Sequence, residues 1–302
     1  MGDRRLGEEW SWGQRWKNDA LYRAAELGLW GARSMGDGWR RDVGRWLGRV
    51  VSWAWRGGRA QAQRRLDLAF GASMPVTVEE VFQTLGQDLA DTVSLFDPGV
   101  RAGDRMPLAM EGREVLDDVL GRSRGRGVVF VTAHLGPIDV MAASVAEQKY
   151  RVVTLARESY DPRFTVLYDA LRVSRGVRPI YRGRPGMHKA ILRALADGVL
   201  VGFPIDLVGR GMRACHVPFL GEVAPIASGA ASLARRLAVP LVVGSPAPTG
   251  SGLHVTVEPL DARILAERDD QAVVEALACA LERRIRALPA HWPWMHKPNG
   301  GN

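Results

Sequence analysis

The chain is poor in cysteine and lysine and carries no long apolar run. Two cysteines in 302 residues, Cys215 and Cys279, build neither a disulfide framework nor a cysteine-rich zinc site. The first sixteen residues contain no apolar stretch of the kind a secretory signal needs, so a reducing, cytoplasmic setting is expected. No window of about 18 uninterrupted apolar residues occurs, which argues against an ordinary transmembrane helix and leaves interfacial attachment open. Several catalytic signatures are also missing: G-x-S-x-G, G-x-x-x-x-G-K-[ST], a G-x-G-x-x-G after a strand, and H-E-x-x-H. His188, His216, His254, His291 and His296 are scattered without ligand spacing, so neither a metal site nor a bound cofactor is expected.

What is present is a full-sized core and a basic surface. The chain is 46% hydrophobic and 25% charged, enough to fold. A net charge of +8 and 37 arginines against four lysines point to an anionic partner. Nucleic acid is a distant alternative among such partners, because zinc-finger spacing, an RNA-recognition signature and a helix-turn-helix are all missing. Eight of the ten tryptophans lie in the first 55 residues. Read as a helix from 39 to 56, Trp39, Val43, Trp46, Leu47, Val50 and Ala54 share one face, while Arg41, Arg45, Arg49 and Arg56 run along the other. Such a face suits the lipid headgroup region, where an indole keeps one end dry and one wet, and equally suits packing onto a core.

From about 18 to 96 the periodicity is helical, with segments Asn18 to Arg33, Trp39 to about Phe70, and Val76 to Phe96. From Pro107 onward, short β-rich runs alternate with helical stretches through PLAMEG, RGVVFVTAH, YRVVTLAR, GVRPIYR and DGVLVGFPID. A loop with VPFLG follows, then a helix from about Ala224 to Leu237, strands VPLVVGSPA and LHVTVEPL, and a last helix from about Asp270 to Leu288. Continuous apolar strands mean a sheet covered on both faces. The expected fold is therefore α/β, a central, largely parallel sheet flanked by helices, with a helical N-terminal region at 1–105 and the α/β domain at 106–302.

In such a sheet the ligand crevice lies beyond the carboxyl ends of the strands. Three apolar runs end there on ionisable residues: His134, Arg157 and Asp206. The sharpest segment is His134-Leu135-Gly136-Pro137-Ile138-Asp139, in which Gly136 reads as a cap and Pro137 as the first helical residue. A bend between His134 and Asp139 brings carboxylate and imidazole within hydrogen-bond reach, leaving the other ring nitrogen to take a proton from a hydroxyl. Spacing alone also admits a satisfied loop histidine and an aspartate that merely stabilises the helix dipole.

Taken in order, RRLDLAFG, MEGREVLDDVL with RGVVFVTAHLGPID, VVTLAR with DPRF and LRVSRGVRPI, GVLVGFPIDLVGRG, HVPFLGEVAPIASGAASLARRLAVPLVV and LERRIRALPAHWPWMHK resemble the lysophospholipid acyltransferase superfamily. The similarity is to its branch of lipid A late acyltransferases and related glycolipid acyltransferases. The resemblance implies His134 as general base, Asp139 as its orienting carboxylate, Arg157 in acceptor binding or charge stabilisation, and Asp206 as an active-site acid. Phe219 and Gly221 would form wall and turn of the acyl or acceptor groove, with plain loop packing the equal alternative. The implied reaction moves a fatty acyl group from the thioester of acyl carrier protein or acyl-CoA, a co-substrate, to a hydroxyl of a membrane lipid. A peripheral position on the cytoplasmic face of the inner membrane, against its anionic surface, would follow. The acceptor stays open between a lipid A precursor, another glycolipid and a lysophospholipid; an inactive lipid-binding homologue is the non-enzyme alternative.

Overall fold

Ser11 and Thr77 each start a helix with a capping box, closed by Gln14 and Glu80. A computed structural model describes residues 9–97, 101–123, 125–209, 211–249, 252–266 and 269–296. Four N-terminal helices, α1 (Trp12–Arg33), α2 (Asp37–Ala54), α3 (Arg56–Phe70) and α4 (Val78–Ser94), lead into the short α5 (Ala102–Arg105). The single helix expected from Trp39 to Phe70 is two. Trp55 leaves helical backbone at φ −97, ψ 71, and its indole folds back over Gly58, where a Cβ would sit about 2.4 Å from the ring.

Strands and helices then alternate: β1 (Leu108–Glu111), α6 (Arg113–Arg122), β2 (Val128–Thr132), α7 (Ile138–Glu147), β3 (Val152–Ala156), α8 (Pro162–Ser174), β4 (Val177–Tyr181), α9 (Met187–Ala196) and β5 (Leu200–Pro204). A hairpin of β6 (Ala214–Phe219) and β7 (Glu222–Ala227) follows, then α10 (Gly229–Leu237), β8 (Leu241–Thr249), β9 (Gly252–Pro259), α11 (Ala262–Leu265) and α12 (Asp270–Ala287). The seven-stranded sheet has the order β1-β9-β8-β2-β5-β3-β4, and all its pairings are parallel except β8 with β9. This is the expected largely parallel α/β architecture.

Both faces of the sheet are covered, which explains the apolar runs. Val129 and Val131 join one core with α3, α4, α10 and α12, while Val128 and Phe130 join the other with α6 and α7. The hairpin corrects the expected loop and early helix: EVAPIA is β7, and the helix begins only at Gly229. Leu220 and Gly221 form its two-residue turn at φ +54 and +84, the left-handed pair that closes a tight hairpin. Pro218 and Pro225 within the strands weaken the strand signal.

The packing of α2 shows which of its faces is buried. Gly44 and Gly48 lie in its buried stripe, and a Cβ on either would sit 2.4 Å or 2.1 Å from a carbonyl oxygen of α4, Gly86 or Phe82. The opposite face is open: Trp39, Trp46 and Trp53 are 73%, 61% and 77% exposed. Trp39, Trp46 and Trp53 therefore do not pack on the core. The arginines meanwhile turn toward α4, Arg41 to Asp91 at 3.3 Å, Arg45 to Gln83 at 3.1 Å and Arg49 to Glu79 at 2.7 Å.

Candidate active site

Neighbouring parallel strands build the site. Thr132 at the end of β2 is in register with Pro204 at the end of β5, so two residues further on His134 and Asp206 stand abreast. His134 Nδ1 lies 2.8 Å from Asp206 Oδ1, and the His134 backbone N–H donates to Oδ2 at 3.0 Å. Trp292 adds a third contact, its indole Nε1–H donating to Oδ2 at 2.9 Å. The carboxylate is wholly buried, whereas the His134 side chain is 35% exposed. With Nδ1–H donating to the carboxylate, the lone pair is on Nε2.

Burial disfavours charge on both partners, and each offsets that for the other. It works against the imidazolium, but the charge and hydrogen bond of Asp206 outweigh it and hold His134 above its ordinary value. It likewise pushes the Asp206 carboxyl up, yet His134, then Trp292 and the His134 N–H, bring it below the usual carboxylate range.

Asp139 is elsewhere. Helix α7 begins at Ile138, with Pro137 as N-cap rather than first helical residue and Gly136 at φ +64. From its first turn Asp139 accepts from Arg172 of α8, Nε to Oδ1 at 2.8 Å and Nη2 to Oδ2 at 3.3 Å. The carboxylate that meets the imidazole is thus Asp206 and not Asp139, which adds a more distant negative charge that favours the imidazolium.

A cavity of about 680 Å³ opens beside His134 and is also lined by Asp139, Arg157, Arg172, Arg182 and His296. Its deeper wall is apolar, with Phe130, Met141, Val145 and Leu200, and Leu85 and Leu89 of α4 close another side. Ala156 of β3 is paired with Tyr181 of β4, so Arg157 and Arg182 follow side by side. Burial, and then the neighbouring Arg157 charge, lower the pKa of Arg182, so two arginines share this end of the cavity. Phe219 and Gly221 are not among the residues lining it. Phe219 is buried edge-on to Trp292 at 6.1 Å, and Gly221 is pressed against the Leu68 carbonyl, so both pack within the fold rather than face this cavity.

The arrangement is an imidazole backed by a buried carboxylate, beside a cavity lined by several arginines and by apolar side chains. A profile of the family described as bacterial lipid A biosynthesis acyltransferase matches residues 15–298. The chain belongs to this family. A search of curated proteins found no match. In this acyltransferase several neighbours of the site carry no local motif. Arg172 and Arg182 follow helical and strand patterns that ordinary surface arginines share. His291 pairs through Nδ1 with buried Asp88 of α4 at 2.9 Å, and its carbonyl accepts from Gly136 N–H at 2.9 Å. Burial pushes the Asp88 carboxyl up in spite of His291. Among the described residues no three His, Cys, Asp or Glu side chains gather as a metal would require.

Proposed function

We propose that the protein transfers a fatty acyl group from an acyl thioester, carried by acyl carrier protein or coenzyme A, to a hydroxyl of a membrane glycolipid of the lipid A precursor type. The observation that carries this reading is the His134–Asp206 contact at 2.8 Å, with His134 lining the cavity. His134 Nε2 removes the hydroxyl proton as the oxygen attacks the thioester carbonyl. Asp206 stabilises the imidazolium that forms, and collapse of the tetrahedral intermediate expels the thiolate, so no acyl-enzyme is required. Met141, Val145 and their neighbours suit an acyl chain, while Arg157 and Arg182 suit anionic groups of acceptor or donor.

The same reading puts the protein peripherally on the cytoplasmic face of the inner membrane, where its acceptor resides. Among the described residues no helix is long and apolar enough to cross a membrane. The outward tryptophans of α1 and α2 support interfacial contact with an anionic surface. Mass spectrometry of a membrane lipid extract incubated with purified protein and each donor tests the reaction. An added acyl mass on a glycolipid is expected; acylation of a lysophospholipid alone would replace the acceptor, and no added mass with either donor would overturn the reading.

A further inference from the structure

We infer that Trp292 is a positioning residue of the dyad: its indole N–H pins one oxygen of Asp206 so that the other stays aimed at His134. The inference rests on the reading of His134 and Asp206 as the base and its carboxylate.

A carboxylate on a free side chain rotates about its last torsion, and the aim of Oδ1 at Nδ1 is lost with it. Asp206 is held at both ends: Oδ1 meets His134 Nδ1 at 2.8 Å, and Oδ2 accepts from His134 N–H at 3.0 Å and Trp292 Nε1–H at 2.9 Å. The backbone donor belongs to the same turn as the base, so it moves with it. Trp292 is the donor from a separate element and therefore fixes the carboxylate against the rest of the fold.

The indole is itself immobilised. It is fully buried, with the Arg65 guanidinium 4.6 Å above its ring, Trp294 edge-on at 4.8 Å and Phe219 edge-on at 6.1 Å. Trp294 Nε1–H in turn donates to the Pro289 carbonyl at 2.7 Å, closing the segment on itself. The residue just before Trp292 completes the strap, since the His291 carbonyl receives Gly136 N–H and its ring meets Asp88. One short C-terminal segment thus grips the turn that carries the base, the carboxylate behind it and a wall of the cavity. Two of these three grips act on the dyad, and only Trp292 touches its carboxylate.

The test compares Trp292→Phe with Trp294→Phe. Each removes one indole N–H and a similar volume, but only the first donor points at Asp206. In Trp292→Phe the freed carboxylate couples less well to the imidazole, so the His134 pKa measured by NMR titration falls, and it stays unchanged in Trp294→Phe. With turnover established, Trp292→Phe lowers kcat about 10- to 100-fold, part of the 10²–10⁴ that a general base contributes. KM stays the same and the acid limb of the rate profile moves to lower pH. An unshifted His134 pKa in Trp292→Phe, or equal shifts in both variants, would overturn the inference. Because the titration needs no substrate, it stands or falls separately from the acyl-transfer reading. If Trp292→Phe fails to fold, the unaltered protein still decides: the Trp292 indole proton shift should follow the His134 titration, and a shift that ignores it overturns the inference.

Discussion

His134 and Asp206 sit two residues past the ends of adjacent parallel strands and meet at 2.8 Å, although 72 residues separate them in the chain. Asp139, five residues from His134, is instead bound to Arg172. The two aspartates should therefore fail in different ways when each is changed to asparagine.

Asp206→Asn should lower acyl transfer by about 10²- to 10⁴-fold, as should His134→Ala, because the imidazolium loses its counter-charge or the base is lost. The pH profile gives the sign. His134 must be neutral to act, and Asp206 holds its pKa above the ordinary 6.5, so wild-type kcat/KM should rise through an acid limb above that value. Without the carboxylate, burial dominates and the limb should move below it. Asp139→Asn should chiefly cost stability, about 1–3 kcal/mol from a half-buried Arg172 left without its partner, seen as a lower melting temperature. A dead but stable Asp139→Asn beside an active Asp206→Asn would reverse the assignment.

These differences show what the sequence could carry. His134, Arg157 and Asp206 were visible because each ends an apolar run, and a parallel sheet gathers such ends at one edge. The partner of His134 was not visible, because it depends on β5 inserting beside β2 while β3 and β4 intervene in the chain. Nearness in sequence favoured Asp139, but the first turn of α7 points it at α8. The amphipathic pattern of α2 was legible down to its period. Which face turned outward was not, since that rests on Gly44 and Gly48 fitting against the backbone of α4. His291 and Trp292 belong to one of the resembling segments, but only the tertiary fold brings them to Asp88 and Asp206.

The fit of α2 on α4 gives a stability test. A methyl at Gly48 would lie 2.1 Å from the Phe82 carbonyl oxygen, a contact that only separation of the helices relieves. Gly48→Ala should destabilise by about 1–3 kcal/mol despite its better helix propensity. Gly28→Ala in α1, where nothing lies within 4 Å, should stabilise by about 0.5–1 kcal/mol. Chemical denaturation measures both, and equal stabilisation by the two would mean that α2 does not pack as described.

Asp91 should make stability fall with pH. Burial beneath α2 raises its pKa to about 6, and the Arg41 charge only partly offsets this. A group whose folded pKa exceeds its unfolded value stabilises below the unfolded one, here 3.8, and loses that contribution as pH rises through about 6. The difference is on the order of 1–3 kcal/mol. Melting curves between pH 4 and pH 8 should show a decline that Asp91→Asn removes; an unchanged decline in that variant would assign it to another group.

The last prediction concerns the outward face of α1 and α2. Charge reversal of Arg41, Arg45 and Arg49 is a poor probe of membrane binding, because these arginines meet Asp91, Gln83 and Glu79 on α4. The glutamates would face two carboxylates and should lower the melting temperature whether or not a membrane is present. The rings are the better probe. Trp39, Trp46 and Trp53 are mostly exposed on α2, and Trp12, Trp16 and Trp30 are mostly exposed on α1. Fully burying a large apolar side chain is worth about 1.5–3 kcal/mol, so half-inserting three rings contributes about 2–4 kcal/mol. That contribution resists salt, unlike about 1 kcal/mol per arginine near an anionic surface. Changing Trp39, Trp46 and Trp53 together to Gln should therefore abolish flotation with anionic vesicles at high salt while leaving the melting temperature near wild type, since these side chains touch little of the core. Transfer to a detergent-dispersed acceptor should persist in the same variant. Flotation equal to wild type would show that the tryptophans of α2 do not hold the protein to lipid.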